Sequence, residues 1–136
     1  MEKFTLNEEI KVICVAAESF PNGIAAAHQK LDQIAPVASD RRHFGLSWGD
    51  GAGGIVYKAA AEETETGEAE KLGLETFTIK SGQYVQETVE NFMQNIPKVS
   101  ETFRRLLAQP DVAPDGYCLE WYLNYKDMKC MVKLKD

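Results

Sequence analysis

Tyr117-Cys118-Leu119-Glu120-Trp121-Tyr122-Leu123-Asn124 is the stretch on which the fold turns. Its aromatic and aliphatic content reads as a β-strand. Alternate residues of a strand share a face. Leu119, Trp121 and Leu123 therefore point one way, and Cys118, Glu120, Tyr122 and Asn124 the other. The first set is expected on a core. The second puts a carboxylate beside a phenol. An ionised carboxylate in mid-strand is costly to desolvate without a partner. Either that face is wet, as one face of an open antiparallel sheet can be, or Glu120 meets a cationic or hydrogen-bonding partner.

Working outward, Met128-Lys129-Cys130-Met131-Val132-Lys133-Leu134-Lys135 reads as the last strand, reached through a turn at Tyr125-Lys126-Asp127. Met128, Cys130, Val132 and Leu134 form one apolar face. Upstream, Ile96, Val99, Phe103, Leu106 and Leu107 recur at helical spacing, which predicts a helix from about Ile96 to Gln109. Pro97 is expected at its start, where the missing N–H does no harm. Gly73–Lys80 and Gln83–Val89 read as strands, separated by a turn at Ser81-Gly82.

The first half repeats the pattern. Ile10–Ala17 is a β-branched, mostly buried strand. Asn22 is a candidate N-cap for a helix carrying Ile24, Ala27, His28, Leu31, Ile34 and Ala35, which Pro36 stops. Arg42–Trp48 alternates as a strand, with Phe44, Leu46 and Trp48 on one face. The run Gly49-Asp50-Gly51-Ala52-Gly53-Gly54 leads into another strand, Ile55–Ala61. It therefore reads as a hairpin turn and not as a phosphate cradle, which would open a helix. Glu62–Glu70 is an acidic run, read as a solvated loop or hairpin tip.

The order strand, helix, strand, strand thus occurs twice, in halves of about 10–61 and 73–135 within a single domain spanning 1–136. The expected fold is α+β: one antiparallel sheet, two helices on one face, and an open ligand cleft on the other. Glu120 and Tyr122 are placed on the open side.

The 136 residues suffice for one core. At 44% hydrophobic and 26% charged the composition is that of a globular domain. The net charge of −6, with Lys and Arg scattered, argues against direct nucleic-acid binding. No run is long and apolar enough to span a bilayer, and Met1–Lys11 lacks the apolar centre of a signal peptide. The three cysteines, Cys14, Cys118 and Cys130, contain no CxxC and fit a reduced, cytoplasmic setting. Cys118 and Cys130 fall on faces of opposite parity in this reading, so no disulfide between them is expected. With His28 and His43 the only histidines, no metal site is expected, nor any cofactor.

Phe77-Thr78-Ile79-Lys80-Ser81-Gly82-Gln83-Tyr84-Val85 and Cys118-Leu119-Glu120-Trp121-Tyr122-Leu123 resemble two segments of the gyrase-inhibitor-like (GyrI-like) small-molecule-binding domain, which has a SOUL-like fold. They match its "small-Gly-x-Tyr" turn between strands and its "Leu-Glu-x-Tyr" strand. Val12–Leu31 fits more loosely. This domain serves as the effector domain of multidrug-sensing bacterial transcription regulators and also stands alone. The chain has no room for a helix-turn-helix domain. Its ending, Val132–Asp136, lacks the Ile-Pro-aliphatic tail common in the family.

The resemblance implies that Glu120 meets a lipophilic cation or aromatic ligand in a pocket walled by Trp48, Tyr57, Tyr84 and Tyr122, of which only Tyr84 and Tyr122 lie in matched motifs. It also implies two alternatives. One is hydrolysis of strained, cyclopropane-bearing electrophiles, with Glu120 as general base and Tyr122 or Tyr84 as its partner. The other is a gyrase-inhibitor-like protein-binding role, to which the acidic run at Glu62–Glu70 is the one contributing feature. The partner expected first is a small molecule; a protein partner and the choice between monomer and homodimer stay open.

Overall fold

A computed structural model describes residues 1–35, 41–124 and 126–135. Pro36, expected to stop the first helix, and Tyr125, expected in the last turn, lie outside the described residues. The fold is α+β, with eight strands paired antiparallel. It divides into two compact units, Glu9–Ile79 and Met1–Glu8 together with Lys80–Asp136.

In the Glu9–Ile79 unit, strands β2 (Ile10–Ala16), β3 (His43–Gly49), β4 (Ile55–Glu62) and β5 (Glu75–Ile79) stand in the order β3-β4-β2-β5. Within β2, Val12, Ile13, Cys14 and Val15 are buried, so this apolar run is covered on both faces, as its composition demands. Helix α1 (Ile24–Ile34) lays Ala27 and Leu31 on Ile13, Val15, Ala59 and Ala61. Its N-cap is Gly23, with no side-chain cap hydrogen bond, so the capping role expected of Asn22 is not taken up. The glycine run is a hairpin turn, as its sequence indicates. Asp50 Oδ1 accepts from Ala52 N at 2.7 Å and Gly54 N at 3.0 Å, and Gly51 and Gly53 take positive φ.

The acidic run is not only loop. Glu68–Leu72 forms a short helix, α2, between Gly67 and Gly73, both in the left-handed conformation that favours glycine.

In the other unit, β1 (Glu2–Leu6), β6 (Gly82–Val89), β7 (Cys118–Tyr122) and β8 (Met128–Lys133) stand in the order β1-β6-β8-β7. This repeats the arrangement of the first unit. Each consists of a strand, its covering helix, a hairpin, and one outer strand on the far side. The outer strands depart from the sequence reading. The sequence reading holds no strand at Glu2–Leu6 and places Gly73–Lys80 in the second half. The register shows β5 pairing with β2, Phe77 opposite Val12. The strand β1 takes the matching place beside β6, Phe4 opposite Tyr84.

Helix α3 (Ile96–Leu107) carries Pro97 in its first turn and follows a 3-10 turn at Phe92–Gln94. Val99 and Leu106 of α3 pack on Val85, Val89, Met128, Cys130, Val132 and Leu134. The apolar face expected of the last strand is therefore the helix-covered one.

Candidate functional site

The register fixes which way Glu120 points. Glu120 is opposite Cys130, Cys118 is opposite Val132, and Tyr122 is opposite Met128. Cys130, Val132 and Met128 belong to the core under α3, and Cys118 and Tyr122 pack against that core. Glu120 therefore shares the α3 side of the sheet. This corrects the sequence reading, which has Leu119, Trp121 and Leu123 on the helix side and Glu120 and Tyr122 on the uncovered one. Both residue sets of this strand hold apolar members, so hydrophobicity alone does not tell its faces apart. Cys118 and Cys130 also lie on one face, and not on opposite faces as the parity count had it; both are free thiols.

Local geometry around Glu120 is well defined. Tyr122, two residues on and on the same face, donates its hydroxyl to Glu120 Oε1 at 2.6 Å. The Tyr122 ring stands 5.5 Å from that of Phe92. Phe92 is held by its backbone N–H, which donates to Lys126 O at 2.8 Å across the β7–β8 turn. Glu120, Tyr122 and Phe92 are all half-buried. The phenol supports the negative charge of the carboxylate, and two aromatic rings stand beside it.

Along the same row, Glu87 lies opposite Cys130 from the other side. Its carboxylate accepts from Arg105 Nη1 of α3 at 2.9 Å. The Cys130 thiol between the two glutamates is pushed up to about 12, first by burial and then by Glu120, Cys118 and Glu87. It is a packed apolar group and not a nucleophile.

Tyr84 is on the opposite face, paired in register with Lys133 and Phe4. It is fully buried. Its hydroxyl donates to Lys80 O at 2.6 Å and shares a 2.7 Å hydrogen bond with Tyr117 Oη. Since that proton is used on Lys80, Tyr117 is the donor of the pair, and Tyr117 in turn accepts from Lys80 N at 2.9 Å. Burial raises both phenols above their ordinary range. Trp121 also lies on this face, edge-on to Phe4 at 6.0 Å, with Lys129 Nζ 4.8 Å from the Phe4 ring.

The other two expected wall residues belong to the Glu9–Ile79 unit. Tyr57 is buried on its α1 side, sharing a 2.8 Å hydrogen bond with His28 Nε2. Burial lowers the His28 imidazole, and Asp32 partly opposes this. Trp48 is half-buried on the face away from α1 and stacks on Phe77 at 5.6 Å, with Lys58 Nζ 5.7 Å from its ring. Lys58 is also ion-paired to Glu75. Within the unit that holds Glu120, the structure thus brings Tyr122 to it and sets Tyr84 behind it.

Phe92 and Tyr117 were not singled out from sequence. Phe92 precedes the regular helical spacing, and Tyr117, read as the first residue of its strand, lies outside β7, where strand period gives its hydroxyl no partner.

Much of the acidic run is neutralised within its unit. Glu62 pairs with Arg42 at 2.6 Å and Glu68 with Arg41 at 2.8 Å. Among the described residues no group of three or more His, Cys, Asp or Glu side chains is placed to hold a metal ion. No helix among the described residues is long and apolar enough to cross a membrane.

No protein-family model and no curated relative matches the sequence. Solved structures do match. An integron cassette protein from the mobile metagenome of Vibrio cholerae superposes with a TM-score of 0.74 at 15% identity, over 98% of this chain and 95% of that one. The likeness is one of fold. A structure of SAV2435 bound to tetraphenylphosphonium gives a TM-score of 0.63 at 14% identity, covering 98% of this chain and 94% of its own. A hydrolase from Listeria innocua gives 0.59 at 13%, covering 98% and 90%.

Proposed function

We propose that this chain is a small-molecule-binding module of the GyrI-like kind, taking lipophilic ligands that are cationic or aromatic. Glu120 is its anionic contact, and Tyr122 and Phe92 are its ring contacts. The observation that carries the reading is the 2.6 Å Tyr122–Glu120 hydrogen bond with Phe92 beside it. A carboxylate held in place next to aromatic rings attracts a cation by charge and by the ring faces together. It does so without the entropy loss of ordering a free side chain on binding. The fold it shares with a protein solved in complex with a lipophilic cation supports the same reading. Trp48, half-buried and stacked on Phe77, is a second flat surface suited to aromatic ligands. Tyr57 and Tyr84 act in this reading through architecture, since their hydroxyls are engaged inside the units.

The test is a titration with tetraphenylphosphonium, read by calorimetry. Wild type binds, Glu120→Gln binds about tenfold more weakly, and Tyr122→Phe lies between. An absence of binding by wild type, or equal affinities for wild type and Glu120→Gln, would remove the proposal.

The same hydrogen bond supports a second reading, hydrolysis of a strained electrophile by water that Glu120 deprotonates. Here Tyr122 would orient the carboxylate. Binding stands ahead of it because the Tyr122 proton already occupies one carboxylate oxygen. Turnover of a cyclopropane-bearing electrophile, lost in Glu120→Gln, would reverse that order.

A further inference from the structure

The Lys80–Asp136 part of its unit contains a hollow of about 260 Å³. One wall is Lys80-Ser81, at the turn into β6. The facing wall is Ala113-Pro114-Asp115. The end of β8 and the two residues after it, Lys133 to Lys135, complete the lining. Each part is tied down by hydrogen bonds. The Lys80 backbone is gripped on both sides by the buried Tyr84–Tyr117 pair. Ala113 N donates to Lys133 O at 3.0 Å, and Gly116 N to Ala113 O at 3.0 Å. Lys135 N donates to Asp111 O at 2.7 Å. The cup is therefore preformed.

Its charge runs against that of the chain. Among the described residues three lysines (Lys80, Lys133, Lys135) and one aspartate (Asp115) line it, an excess of positive groups in a chain of net charge −6. Lys133 is 6% exposed, and its Nζ donates to Leu134 O at 2.9 Å. Across the mouth, Asp115 Oδ2 stands 4.0 Å from Lys80 Nζ, both side chains being well exposed. At that separation and exposure the pair is weak. A carboxylate reaching a lysine across an open cup marks the place where an external anion would be held.

We propose that this hollow binds a small dianion, such as a phosphate monoester or a short dicarboxylate, with Lys80 and Lys135 as its rim contacts and Asp115 as the internal competitor that the ligand displaces. The volume is near the lower end of small-molecule sites and suits a ligand of this size. Lys80 and Lys135, both exposed, offer one positive charge to each charge of a dianion. Lysine heads, being point charges on flexible stems, suit a phosphate without requiring the planar fork of arginine. The site is separate from Glu120, and its test does not depend on the reading given to that residue.

The experiment is an amide chemical-shift titration of the full chain with inorganic phosphate, and separately with succinate. Sodium chloride at matched ionic strength is the control. Saturable shifts at Ser81, Ala113, Asp115 and Lys135 are expected with either dianion. Lys80→Gln and Lys135→Gln should each weaken binding about fivefold for each negative charge the lysine contacts, the effect of a pair of unit charges at about 4 Å in a hydrated setting. Asp115→Asn should tighten it by a similar factor. Lysine and aspartate here are exposed, so the variants should keep the wild-type circular dichroism. Matching shifts in chloride alone, or an Asp115→Asn variant that binds no tighter than wild type, would overturn the proposal.

Discussion

Replacing Tyr84 by Phe tests the hydrogen-bonded ring that anchors the Lys80 turn. The substitution keeps the ring volume and removes one hydroxyl. That hydroxyl donates to Lys80 O and accepts from Tyr117. The Lys80 carbonyl, at a turn, loses this donor. Tyr117 is 6% exposed, and its proton loses its acceptor in a buried setting. An orphaned buried donor costs about 1–3 kcal/mol, and Tyr84→Phe is expected to destabilise the chain by that amount. Tyr117→Phe leaves Tyr84 donating to Lys80 O and removes the acceptor of the Lys80 N–H. Its expected cost is about 0.5–1.5 kcal/mol. The double variant leaves no buried hydroxyl unpaired, so its cost should fall short of the sum of the singles by about 1 kcal/mol. Urea unfolding of the four proteins measures all three quantities. Costs that simply add, or a Tyr117→Phe penalty larger than that of Tyr84→Phe, would refute the assigned direction of these hydrogen bonds.

Other expectations follow from the same structure. Leu106→Ala, opening a cavity under α3 at a fully buried position, should cost about 2–5 kcal/mol by urea unfolding. Burial holds the His28 and His43 imidazoles below their ordinary pKa. Below about pH 6.5 the unfolded chain takes up protons that the folded chain does not. Their contribution is therefore full above that pH and declines as pH falls. The melting temperature should drop between pH 7.5 and 5.5, and His28→Asn with His43→Asn together should flatten the drop; a melting temperature that rises over this interval would contradict the assignment. Cys14 and Cys130 are both pushed up to about 12 by burial, whereas Cys118 is half-buried. A thiol reagent at pH 8 should therefore modify Cys118 alone in the folded protein and all three cysteines after denaturation.

The elements that show in the sequence are those with a strong internal period. Ile10–Val15, the Val99–Leu106 stripe and the alternating last strand each declare their type without help from partners. The outer strand Glu2–Leu6 does not, because one short alternation among charged residues acquires meaning only when Phe4 meets Tyr84. The α2 turn is hidden inside an acidic run whose folding depends on the two flanking left-handed glycines and on Arg41 holding Glu68.

The candidate site was half legible. The adjacency of Glu120 and Tyr122 is a consequence of strand period, and the structure has it. Which side of the sheet they occupy is a matter of register, with Cys130 opposite Glu120, and a single strand carries no record of its partner's register. The placing of Tyr84 behind the sheet follows from the same cause. Phe92 enters through a 3-10 turn docked on Lys126, a long-range backbone contact that no local pattern encodes.

The central claim is that Glu120, steadied by Tyr122, recognises a lipophilic cation. Calorimetric titration of tetraphenylphosphonium into wild type and Glu120→Gln tests it most directly. Saturable binding by wild type, weakened about tenfold in the variant while binding of inorganic phosphate is unchanged, is the predicted result. Identical tetraphenylphosphonium isotherms for the two proteins, or none for either, would contradict it.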